Sequence, residues 1–440
     1  MRFSKTGTLV AMAAASALLL TACSGTANGG AATGDTVVPK TDGKGKTITV
    51  WTMQDDYDAA TIAAINAEFE KQTGAKVNIQ EQQWNGITTK ISTALATSTP
   101  PDVLDLGNTQ VASFAENGGL LDLTPYKKDL QQGQTWVTGL EEPATVDGAL
   151  YAVPSFAGSR AVLYNKKIWA AAGVTEAPTT YAELTAALDK VKAANTEADF
   201  SPLYFPGQNW QASLQWVWDA GGDIATVKNG TWSGALSSPE AQKGLEAWKD
   251  FQNTYSTPAS QTLDVQSPAQ VQVFADGKTS AIIATYGLIS QVLKANPALT
   301  ADDLGAFALP GISGKPQPVL IGGSDWGIPT KTTNKDLALQ WTKIAASPTI
   351  QKDFVFGSNG WIPNSTELAT EIGATLDPTR KAFFDATQIS RATPAAARWA
   401  DLEGDKSINN LFTSIASGAK SAKDAAATFD QATDKTLNKK

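Results

Sequence analysis

The chain has no histidine, one cysteine and three methionines in 440 residues. Each shortage excludes a kind of chemistry. Without His, and with Cys23 the only thiol, the usual ligands of a zinc or copper centre are missing, as is the usual base that titrates near neutral pH. No metal site and no cofactor is expected. Excess positive charge is also lacking: 35 Lys and Arg stand against 43 Asp and Glu, for a net charge of −8 and a pI near 4.8. Nucleic acid and anionic headgroups are bound by clustered cations, so neither is the expected partner. Long apolar runs are confined to Leu9–Leu20, too short for a stable membrane span.

What is present begins with an address. Arg2 and Lys5 precede that apolar run, and it ends in Leu20-Thr21-Ala22-Cys23. This tetrapeptide resembles the bacterial lipobox, in which the Cys receives a diacylglycerol and becomes the first residue after cleavage. Residues 1–22 are therefore expected to be a signal peptide, and Cys23 a lipidated residue on the extracytoplasmic face of the cell membrane. Each buried lipid CH₂ contributes about 0.8 kcal/mol, so several acyl chains make a firm anchor. Residues 23–46, rich in Gly, Ala, Thr and Asn without periodicity, read as a flexible tether.

The body alternates strand and helix. Thr47-Ile-Thr-Val-Trp51 reads as a buried strand and Ile62, Ile65 and Phe69 as a helical stripe stopped at Gly74. Val77–Trp84, the helix marked by Ile87, Ile91 and Leu95, and the apolar run Val103–Leu106 repeat the pattern. Three alternations in about 75 residues call for a parallel sheet with crossover helices, an α/β fold. Farther on, Thr180-x-x-Glu183 is a capping box and Ser237-x-x-Glu240 predicts another helix start. Two extended segments flank Pro154–Arg160, where a passage between sheets is expected, and glycines break the strand Val319–Pro329.

With these segments placed, the chain resembles the extracellular solute-binding proteins of ABC importers, the family of maltose-, trehalose- and other oligosaccharide-binding proteins. The resemblance covers about residues 45–400. It is carried by Ile48-Thr-Val-Trp51, Pro101–Leu106 followed by Phe114–Leu123, Tyr151-Ala-Val-Pro154 with Leu163-Tyr-Asn165, Phe274-x-x-Gly-Lys278, Gly322-Gly323 and Gly360-x-x-Pro363. It implies a two-lobe, type II periplasmic-binding fold with a ligand crevice between the lobes. Lobe 1 would be 47–155 plus 279–349 and lobe 2 156–278 plus 350–440, with hinge strands near 155, 278 and 350. It further implies two partners, a sugar or oligosaccharide and the transmembrane subunits of a permease, with a monomer as the working state and no enzymatic activity.

Thirteen tryptophans suit such a ligand, because an indole stacks on the apolar face of a sugar ring. Candidate ligand-binding residues follow strand ends or glycine breaks. Trp51, Gln54, Asp55, Trp84, Asn108 and Gln110 come from lobe 1, and Ser155, Phe156 and Arg160 from the first crossing. Trp210, Gln211, Tyr286, Gly323, Asp325, Trp326 and Trp361 complete the set. Asp55 could instead cap the following helix, and Arg160 could form a hinge salt bridge. Trp169, Trp248 and Trp341 read as helix packing. Two alternatives remain open at this point. A surface-tethered glycoside hydrolase would need two separated carboxylates, which the adjacent pairs Asp55-Asp56 and Glu141-Glu142 do not provide. A polyamine ligand would need more acids than Asp55 and Asp325.

Overall fold

The computed structural model describes residues 35–439 except Asp55 and Asn85. The signal peptide, Cys23 and Asp55 therefore lie outside the described residues. The first half of the expected tether is likewise outside, but its second half is not loose. Residues 35–46 run as a strap along lobe 1: Thr36 N donates to Pro125 O at 2.8 Å, Val38 N to Asp129 Oδ2 at 2.8 Å and Gly43 N to Thr73 O at 2.7 Å. Val38 is buried in the lobe 1 core. The composition pointed to a linker, but one valine with a pocket and three backbone donors with acceptors suffice to pin it.

Strands β1 (Thr47–Met53), β2 (Lys76–Gln82) and β3 (Val103–Gly107) are parallel, with β1 in the middle. The helix Ala59–Thr73 connects the first two as the apolar stripe predicts. Asp58 caps its start by accepting from Thr61 N, the role considered for Asp55, and Gly74 closes it at φ 71°. β4 (Ala152–Gly158) leaves this sheet and, after Ser159, continues as β5 (Arg160–Asn165) in another. β6 (Ala281–Thr285) and β7 (Leu304–Phe307) flank β5 antiparallel to form that three-stranded sheet. β8 (Gly322–Gly327) and β9 (Ile362–Pro363) return to the first, whose order is β9-β4-β8-β3-β1-β2.

Each sheet has its own core. Phe69, Phe114, Trp326 and Trp341 belong to the first; Trp169, Trp210, Trp216, Trp248, Phe412 and Phe429 to the second. These cores correct the expected lobe boundaries. Residues 279–307 pair in the second sheet, not in lobe 1, and the chain does not cross near 278. It crosses between Phe307 and Gly322. Residues 350–363 stay with lobe 1, since Ile350 and Val355 lie in its core and β9 pairs with β4. The helices after residue 405 complete the lobe 2 core, Phe412 packing edge-on to Trp248 at 4.9 Å.

Candidate functional site

Past the end of β1 the chain turns down into the sheet. The Asp56 carboxylate accepts from Ser324 Oγ at 2.8 Å, and its carbonyl accepts from Asn359 Nδ2 at 2.6 Å and Trp361 Nε1 at 2.7 Å. The Tyr57 and Ser155 hydroxyls share a hydrogen bond. The Tyr57 ring stacks on Trp326 at 5.1 Å and meets Phe156 edge-on at 5.5 Å, and Phe156 stacks on Trp361 at 4.7 Å. Five of the predicted residues, Ser155, Phe156, Trp326, Trp361 and the backbone-close Gly323, thus meet around Tyr57 and the first crossing. Gly323 is required there: at φ 149°, an added Cβ would stand 2.1 Å from Phe156 O.

The electrostatics of this cluster follow from burial. Asp105 accepts from Met53 N at 3.0 Å, yet burial, and next the Asp56 charge, hold its carboxyl well above the ordinary range. Burial and then Asp105 push the Tyr57 phenol up in the same way. Asp325 is raised by burial alone, and neither of its oxygens has a hydrogen-bond partner among the described residues. Asp325 and Trp326 are fully buried, so in this conformation they face the core and not a ligand. The reason is that β8 sits between β3 and β4 in a sheet covered on both sides.

The rim of lobe 1 holds a second group. Trp84 lies beyond the end of β2 and is 40 % exposed, the only exposed tryptophan among the described residues. Its ring lies against Gly107, 3.4 Å from where a Cβ would be. Gln110, from the turn after β3, reaches Thr88 Oγ1 at 3.3 Å. Asn108, also predicted, is buried and bonds the carbonyls of Ile321 at 3.1 Å and Gly139 at 3.4 Å, so it ties this rim to the second crossing. Gln54 sits at the turn after β1, its N–H on Gln82 O at 2.8 Å. Trp51 is not on the rim: it is a mid-strand residue whose indole donates to Gln80 Oε1 at 2.9 Å, with Lys90 Nζ 5.4 Å from the ring.

Opposite stands lobe 2. Trp210 and half-buried Gln211 open the helix Trp210–Asp219, capped by Asn209. Trp210 packs edge-on to Trp399 at 6.2 Å, and the Trp399 indole donates to Glu403 Oε1 at 2.6 Å. Burial pushes Glu403 up to about 7. The segment before Trp399 reaches lobe 1, with Ala397 N donating to Glu116 Oε1 at 3.2 Å. Trp399 was not among the candidates. Like Trp326 it is fully buried, so it backs Trp210 and does not face a ligand. Arg160 donates to Leu320 O at 3.3 Å and forms no ion pair among the described residues, so the hinge salt bridge is absent. Tyr286 lies beyond β6, under Arg380 at 4.9 Å and edge-on to Phe383 at 5.7 Å. Trp169, Trp248 and Trp341 are fully buried, as expected. No group of metal-ligating side chains occurs among the described residues.

Residues 64–382 match the family described as bacterial extracellular solute-binding protein. The diacetylchitobiose binding protein DasA of Streptomyces coelicolor is 35% identical over 384 residues, 87% of this chain and 88% of that one. The maltodextrin-binding protein MdxE of Bacillus subtilis is 24% identical over 435 residues, 96% of this chain and 95% of that one. Among solved structures, the sugar-binding protein MalE of Xanthomonas citri superposes with a TM-score of 0.77 over 89% of this chain and 97% of that one, at 22% identity, a likeness of fold. The two sheets, their crossings and the matched length agree: this chain is a member of the bacterial extracellular solute-binding protein family.

Proposed function

We propose that this chain captures a neutral sugar or oligosaccharide between its lobes and delivers it to the membrane subunits of an ABC importer, without catalysing a reaction. The observation that carries this reading is Trp84, an indole left 40 % exposed on the rim of lobe 1 in a chain that buries or half-buries its other tryptophans. Exposing so large an apolar face is costly, and a sugar ring covers it. The relatives named for diacetylchitobiose and maltodextrin support the ligand class. In this reading the crevice lies among Trp84, Asn108, Gln110, Arg160, Trp210 and Gln211, with Gln54 and Trp361 at its margins.

Lipidation of Cys23 anchors the monomer outside the membrane in this reading. Thr36 is held to lobe 1, so the chain between it and Cys23 can span at most about 40 Å. The test is calorimetric titration of the purified protein with chito- and malto-oligosaccharides, with reducing ends assayed alongside. Saturable binding without new reducing ends is expected, and Trp84→Ala should weaken it about tenfold. Unchanged affinity in that variant would remove Trp84 from the site.

A further inference from the structure

Arg160 stands at the start of β5, where the chain has just crossed between sheets. Side chains alternate along a strand, so Arg160 shares a face with Val162 and Tyr164. Those two belong to the core cluster that also holds Leu320, Trp210, Ala396 and Trp399. Arg160 thus lies on the face of β5 that packs into lobe 2, and it reaches Leu320 O at the second crossing. Its guanidinium carries five N–H donors, and among the described residues it has one hydrogen-bond partner, Leu320 O at 3.3 Å. Burial draws its pKa down to about 10, with no carboxylate contributing, so it remains charged at neutral pH. Arg160 is half-buried, so its remaining donors are open to water or to a ligand, and a charged donor bonds a strong acceptor better than a weak one.

Among the described residues Arg160 meets no second acceptor at the crossing. Leu320 O is taken by Arg160 itself, and the next carbonyl, Ile321 O, is taken by Asn108 Nδ2 at 3.1 Å. What this floor offers an incoming molecule is a set of charged N–H donors. A sugar hydroxyl is a neutral, weak acceptor. An acetamido carbonyl is a stronger one, and a carboxylate matches the planar fork with two parallel hydrogen bonds.

We propose that Arg160 is a specificity determinant that selects a saccharide bearing a carbonyl-oxygen substituent, an acetamido or a carboxylate group, over one bearing hydroxyls alone. This rests on the sugar-binding reading and narrows it. The experiment is calorimetric titration of the full chain, purified in detergent, with cellobiose, diacetylchitobiose and a galacturonic acid dimer, repeated with Arg160→Met and Arg160→Lys. In the unmodified protein a substituted disaccharide should bind about ten- to hundredfold more tightly than cellobiose, the range for a hydrogen bond to a charged group. Diacetylchitobiose leading assigns the acetamido group; the galacturonate dimer leading, with an affinity that falls as salt rises, assigns the carboxylate.

In Arg160→Met the ratio of substituted to plain affinity should fall about tenfold, with Arg160→Lys between the two because it keeps the charge and loses the fork. A ratio near one in the unmodified protein, or a preference that survives Arg160→Met, overturns the proposal while cellobiose binding leaves the sugar reading standing. Failure of every saccharide to bind would bring down both. Should Arg160→Met not fold, the ratio in the unmodified protein and in Arg160→Lys still decides.

Discussion

Asp325 pairs across β3 and β4 at the centre of a six-stranded sheet, and neither of its carboxylate oxygens meets a donor among the described residues. Burial raises its pKa well above the usual carboxylate range, so the folded chain holds it protonated where the unfolded chain ionises it at about 3.9. The sign follows from proton counting. Below about pH 4 both states are protonated and Asp325 adds no pH dependence; above it the unfolded state releases the proton first, so folding stability declines as pH rises. The slope from one such group is at most about 1.4 kcal/mol per pH unit. Asp325→Asn removes it. Urea unfolding of the two proteins between pH 4 and 7 should show the variant gaining on the parent as pH increases. A difference that stays constant across that range would mean that Asp325 is ionised in the folded protein.

At the scale of the element, the helix Pro239–Tyr255 shows how local chemistry decides a boundary. Ser237 and Ser238 are both capping residues by type, and the Ser237-x-x-Glu240 spacing favours the first. The helix starts instead at Ser238, whose side chain accepts from Ala241 N, with Pro239 in the first helical position. Proline has no N–H to satisfy and its fixed φ suits that place, so it moves the cap by one residue. Ser238→Ala should cost about 1 kcal/mol by thermal or urea unfolding, and Ser237→Ala far less. Equal effects would contradict the assignment. The same distinction explains what could be read in advance. Strands β1–β3, the capping box at Thr180 and Glu183, and the positions of Trp84 and Gln110 just past strand ends are all written in local periodicity and spacing. The pairing of β6 with β5, more than a hundred residues apart in the chain, is not, and so the lobe boundaries were misplaced. Nor does residue type tell which face of a doubly covered strand points where: Trp51 and Trp326 carry the right ring for a sugar but are held by Gln80 and Tyr57.

At the scale of the whole molecule, the lobes are joined by chain crossings and by contacts made far from them in sequence, among them the Ala397 N–H donating to Glu116 Oε1 at 3.2 Å. Glu116 ends the helix Val111–Glu116 of lobe 1, directly after the turn that carries Asn108 and Gln110, and Ala397 precedes Trp399 of lobe 2. The bond therefore holds the two walls of the crevice near each other. A ligand clasped by both walls binds through the fraction of molecules in which they are close, and its apparent dissociation constant is the intrinsic one divided by that fraction. Glu116 is exposed, so the bond competes with water and is worth the low end of the usual range. Glu116→Ala should then weaken ligand binding about two- to fivefold, mainly by opening the unliganded form, although the side chain need not touch the ligand. Small-angle scattering without ligand should show a larger radius of gyration in the variant, and saturating ligand should bring both proteins to the same value. If the two proteins have equal radii and equal affinities, closure is governed by the crossings and the other contacts. If affinity falls while the radii stay equal, Glu116 acts at the ligand instead of at the hinge.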